Sequence, residues 1–116
     1  MTLTDALRAA LDPATHPSNL TPLRQIVAHI VIDPADAPRG LVSRVLLFGL
    51  TPLGEGGHFA AEIPEIVMCC VNAGADLDDF HTVCNEPSIA PEIPRSAEWT
   101  AAALRIAAWA DGEVVK

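Results

Sequence analysis

Apolar residues recur along this chain at steps of three and four, and proline and glycine cut the recurrences into segments. Leu3, Leu7 and Leu11 are spaced by four behind Thr2 or Thr4 as a cap and Asp5 in the first turn, which predicts a short amphipathic helix from Thr2 to Leu11. Asp12, Pro13 and Pro17 end it. Thr21 as a cap and Pro22 at the first helical position open a second helix, Leu23 to Ile32. Its Ile26, Val27, Ile30 and Val31 fit helical spacing, although the β-branched run leaves a buried strand as the alternative. Asp33 and Pro34 break that element. Asp36 and Pro38 begin another that carries Leu41, Val42, Val45, Leu46 and Phe48 before Gly49 closes it; its polar side is confined to Arg39, Ser43 and Arg44, so it is expected to lie centrally.

Thr51-Pro52-Leu53 and the flexible run Gly54 to Gly57 read as a loop. Pro64, with Glu62 and Glu65 near the helix start, opens a helix from Glu65 to Ala73 whose core face is Ile66, Val67, Cys70 and Val71, and Gly74 supplies a left-handed stop. A polar stretch from Asp76 to Asp79 precedes a short helix from Phe80 to Cys84. Pro87, Pro91 and Pro94 punctuate an irregular segment. Ser96 then caps a last helix, Ala97 to Ala110, on which Trp99, Ala102, Ala103, Ile106 and Trp109 face one way before Gly112 stops it. The expected fold is all-α, a single small domain of five to six helices spanning residues 1–116.

Composition sharpens this picture. Half of the 116 residues are hydrophobic and the mean hydropathy is +0.30, a high value for a chain with so much surface relative to its volume, so part of the apolar material is expected in an interface. The apolar content comes from Ala, Leu, Val and Ile, with no Tyr and only five aromatic rings, which favours helices over a β-sandwich. Apolar runs are broken by Asp33, Arg44 or Asn72 well short of the ~20 residues of a bilayer span. The N-terminal segment, with Asp5 and Arg8, lacks the pattern of a secretory signal, and three cysteines make no disulfide framework, so a cytoplasmic protein with reduced thiols is expected. The net charge of −8 is unevenly placed: residues 1–54 hold four acids and four bases, residues 55–116 eleven acids and three bases. That acidic half repels nucleic-acid backbone and suits solubility or a basic partner.

One internal regularity stands out. Thr21-Pro22-Leu23 recurs thirty positions on as Thr51-Pro52-Leu53, and Pro34, Pro64 and Pro94 keep the same interval, the last two within identical Glu-Ile-Pro triplets. This spacing is what stacked helix-pair repeats of about 30 residues would give, each unit burying its face against the next. Thr51-Pro52-Leu53, Glu65-Ile66-Val67 and Ala73-Gly74-Ala75-Asp76 together resemble the ankyrin repeat, in which Thr-Pro-Leu opens the first helix and Gly-Ala-Asp follows the second. The interval from Thr51 to Gly74 is two residues longer than usual, and Gly54 to Gly57 stands where the first helix is expected. The resemblance implies a protein-binding surface without catalysis.

Among chemistry-bearing residues, His58, Cys69, Cys70, His81 and Cys84 are the set with metal-ligand character, and His81-x-x-Cys84 puts two of them one helical turn apart. His58 or His81 with Cys84 could also form a thiol site. Cysteines packed as small hydrophobes are the competing reading. Glu62 with Glu65, and Asp76, Asp78 and Asp79, read as helix-start charges and a solvated loop rather than a calcium loop, and the glycine run lacks the Lys-Ser or Lys-Thr of a phosphate loop. His29 fits a hydrogen-bonded core or interface position. Trp99 and Trp109, ten apart on one helix, are core residues by default and partner anchors otherwise. The sequence therefore leads to a non-catalytic interaction protein without cofactor, binding a protein partner or a second copy of itself through Trp99, Trp109, Asp76, Asp78, Asp79 and Phe80, with no direct nucleic-acid or membrane contact. A small thiol- or metal-dependent enzyme using His58, His81 and Cys84 is the alternative.

Overall fold

The structure is a computed structural model that describes residues 2–12, 20–29, 37–50, 61–85 and 96–112. These form six helices and, among the described residues, no strand: α1 (Leu3–Leu11), α2 (Thr21–His29), α3 (Ala37–Leu50), α4 (Ile63–Asn72), α5 (Leu77–Cys84) and α6 (Ala97–Ala110). The all-α class is as expected. Residues 21–29 are helix rather than strand, while Ile30 to Ile32 lie outside the described residues.

Each helix is started by the chemistry available in its own segment. Thr2 caps α1, its Oγ1 accepting the Asp5 N–H at 3.1 Å, and Ser96 caps α6 by accepting the Trp99 N–H at 3.1 Å. Pro22, Pro38 and Pro64 all occupy the second helical position, where the missing N–H is one that the helix would leave unbonded anyway. Thr21 is accordingly the first residue of α2 rather than its cap. At the other end of α4, Gly74 at φ +112° closes a Schellman turn: its N–H donates to the Val71 carbonyl and the Ala75 N–H to the Cys70 carbonyl, both at 3.0 Å.

The core gathers on α3, which touches all five other helices, as its nearly unbroken apolar surface anticipated. Its Val42, Val45 and Leu46 are fully buried, and the Ser43 hydroxyl, buried with them, donates to the Leu23 carbonyl at 2.7 Å and so joins α3 to α2. Gly49 does not end this helix, which runs on to Leu50. It is there because the Trp99 indole lies against the backbone: a Cβ at position 49 would sit 2.9 Å from Trp99 Cζ2. From the other side, α6 presents Ala102, Ala103 and Ala107, all buried, and these small side chains let it pack against α1, α3 and α5. The Trp99 indole N–H is satisfied in the interior by the Val83 carbonyl at 3.2 Å.

One carboxylate ties the beginning of the described chain to its end. Asp111, in the residue that caps α6, accepts the Leu3 N–H at 2.8 Å and the Thr4 N–H at 2.9 Å, and also the Thr4 hydroxyl at 2.7 Å. Its side chain is 3 % exposed, and Arg39 Nε stands 3.3 Å away. The first turn of α1 thus has its otherwise unbonded donors met by a side chain more than a hundred residues along the sequence, with the charge placed where the helix dipole favours it.

Candidate functional site

The predicted partner-binding residues are not one surface. Trp99 and Phe80 are fully buried and hold the α3, α5 and α6 packing together, so neither side chain is available as an anchor. Asp76 to Asp79 is not a loop: Asp76 caps α5, its Oδ1 accepting the Asp78 N–H at 2.8 Å, and Asp78 and Asp79 form the first turn, so α5 begins three residues before the expected Phe80. Asp79 points inward and is held by Arg105, whose Nε and Nη2 donate to Oδ1 at 2.9 and 2.7 Å. That bond raises the Arg105 pKa above its ordinary value. Asp76 and Asp78 face solvent, and Trp109 is half-buried with its indole nitrogen 3.8 Å from where a side chain at Gly74 would begin.

The thiol and metal candidates are likewise spread out. His58 and the side chain of His29 lie outside the described residues. His81 is exposed on α5, Cys84 is half-buried one turn on, Cys70 is buried in the α4 core face and Cys69 is exposed. Burial pushes the Cys84 thiol up, and burial together with neighbouring Cys69 pushes Cys70 up to about 11. Burial thus disfavours the thiolate of both, the form that acts as a nucleophile. Among the described residues no three His, Cys, Asp or Glu side chains gather closely enough to hold a metal ion.

Among the described residues, one face of α4 is left open. Eight of its ten residues are apolar or thiol-bearing, the composition of a helix surrounded by protein, yet it lies at the side of the bundle, packed on α3 and α5. At about 100° per residue, Ile63, Ile66 and Cys70 fall on one side and are buried. Pro64, Val67, Met68 and Val71 fall on the adjoining side at steps of three, one and three. Pro64 and Met68 are exposed there, Met68 to 64 %, and Val67 and Val71 are half-buried at the margin of the core. Leu77, at the start of α5, is the other exposed large hydrophobic residue among those described, at 43 %. The expected core face of Ile66, Val67, Cys70 and Val71 is thus rotated toward Ile63, and Val67 and Val71 serve the boundary rather than the interior.

The segment that carries this stripe is acidic. Residues 61–85 hold five acids and neither Lys nor Arg. Glu62 meets Arg44 of α3 at 3.4 Å and Asp79 meets Arg105, so two of the five are turned to the protein's own cations; Glu65, Asp76 and Asp78 face solvent. The whole is an apolar stripe two helical turns long on an acidic segment, and Arg44 and Arg105 meet that segment at Glu62 and Asp79. Sequence reasoning passed over Met68, although a helix with apolar residues on more than one side was a visible signal for it. No family model, no curated protein and no solved structure matches this chain.

Proposed function

We propose that this chain is a non-catalytic protein-binding module, an adaptor, regulator or inhibitor that acts in the cytoplasm by covering part of a partner protein or of a second copy of itself. The observation that carries this reading is the second apolar stripe of α4, because among the described residues Pro64 and Met68 are exposed and Val67 and Val71 half-buried, so a chain that covers them adds apolar burial. The acidic surroundings support a protein surface over the phosphate backbone of a nucleic acid. The ankyrin-like spacing of Glu65-Ile66-Val67 to Gly74-Ala75-Asp76 belongs to the same proposal and falls on α4 and its closing turn.

Native mass spectrometry of the protein taken from lysate under mild, non-chelating conditions tests the reading. A retained protein or a dimer that disappears in Met68→Asp is the expected result; the substitution sits on an exposed side chain and leaves the core intact. A stoichiometric metal or small ligand, retained by Met68→Asp and lost on His81→Ala or Cys84→Ala, would replace the module with a thiol- or metal-dependent enzyme.

A further inference from the structure

We infer that the open side of α4 receives a basic amphipathic helix, one whose apolar stripe lies on Pro64, Val67, Met68 and Val71 while its flanking Lys or Arg residues reach Glu65, Asp76 and Asp78. This rests on the proposed protein-binding role and names the chemistry of the partner. The argument is one of shape and charge together. The stripe runs from position 64 to 71, about 10 Å along the helix axis, which matches two turns of an opposing helix and is too narrow for a broad flat interface. Apolar contact at Met68 supplies the anchor, since an unbranched thioether adapts to the side chain it meets.

Charge then selects among occupants. A second copy brought face to face about a two-fold axis would set Glu65 and its neighbouring carboxylates against the same groups of its mate, with a net charge of −8 on each molecule. Residues 61–85 contain no Lys or Arg, and among the described residues the cations that meet them, Arg44 and Arg105, are engaged by Glu62 and Asp79 of their own chain. A partner carrying cations on both sides of an apolar stripe meets the carboxylates favourably and buries Met68 in the same act. The acids also steer its approach from a distance, so that association quickens as salt is lowered.

The probe is a synthetic peptide of about 18 residues with leucines at helical spacing and lysines on either side, long enough to be helical when bound. A control has every lysine replaced by glutamate. Binding is followed by amide NMR of the full chain. The expected result is that the lysine peptide shifts amides of α4 and the start of α5, and that affinity falls about tenfold in Met68→Asp even though this variant adds a negative charge. Glu65→Gln, Asp76→Asn and Asp78→Asn combined also weaken binding; asparagine at position 76 keeps an oxygen for the Asp78 N–H, so the helix start survives. Affinity unchanged or raised in Met68→Asp would mean unspecific attraction between opposite charges and would overturn the inference. So would equal binding of the glutamate peptide, or shifts centred away from α4. If either happens while the lysate complex still depends on Met68, the partner chemistry alone has failed, and a Met68-dependent dimer would identify the second copy as the occupant. Loss of Met68 dependence in both experiments removes the protein-binding reading itself.

Discussion

At the residue scale, the positions that matter most for packing are those whose partner is far along the sequence. Gly49 looks like a helix stop because glycine commonly is one, and nothing local reveals the indole fifty residues later that requires its bare backbone. Two effects oppose each other at this site. Alanine is about 1 kcal/mol the better helix residue in an exposed interior position. Against that, its methyl would lie 2.9 Å from a ring carbon of Trp99, which is fully buried, bonded to Val83 and unable to give way like a flexible chain end. Overpacking of this kind costs about 1–3 kcal/mol, and the steric term wins. Gly49→Ala is expected to lower the midpoint of urea unfolding, with Trp99 fluorescence as a local reporter; a stabilised variant would show that the indole has room to move. The same geometry explains why Trp99 was legible as a large apolar residue on the correct helix face while its role was not. Periodicity identifies the face and leaves open whether a neighbouring helix or a foreign protein covers it.

At the scale of elements, helix existence was readable and helix boundaries were less so. Capping residues, proline near the start and helical periodicity located most of the helices. The largest boundary error fell on α5. Asp76, Leu77, Asp78 and Asp79 look like a polar connection by composition, yet Asp76 accepts the Asp78 N–H and the next two acids sit where the helix dipole welcomes negative charge. The cap can be separated from the charge by substitution. Asp76→Ala is expected to cost about 1 kcal/mol by removing the acceptor, whereas Asp76→Asn stays within a few tenths of wild type, both measured by urea unfolding. Equal losses in the two variants would mean that the carboxylate's charge, rather than its oxygen, starts the helix. The misjudged face of α4 has a related cause: a helix apolar on two sides offers the periodic pattern two valid orientations, and only the direction from which α3 approaches decides between them.

At the scale of the whole molecule, order depends on contacts that join distant elements, and the Asp111 carboxylate is the longest of these. It could not be read from the sequence, where it follows the last helix and resembles any acidic C-terminal cap position. In the fold it receives two backbone donors of α1 and the Thr4 hydroxyl, with Arg39 of α3 beside it, so a single side chain links α1, α3 and the end of α6. Removing it leaves the Leu3 and Thr4 donors at a largely closed site without their acceptor, and also leaves the Arg39 guanidinium without that anion. Charged hydrogen bonds and helix caps each contribute about 1–2 kcal/mol, so Asp111→Ala is expected to destabilise the protein by about 2 kcal/mol or more. Asp111→Asn keeps an oxygen for part of the donor set and is expected to lose less. The distinguishing measurement is amide hydrogen exchange. In Asp111→Ala, protection should fall together across α1 and the last turn of α6, because the carboxylate couples them, while α2 keeps its protection relative to the global unfolding limit. If α1 alone loosens, Asp111 is a local cap supplied from afar; if both ends loosen as one unit, it is the closure that makes the first and last helices a single cooperative body.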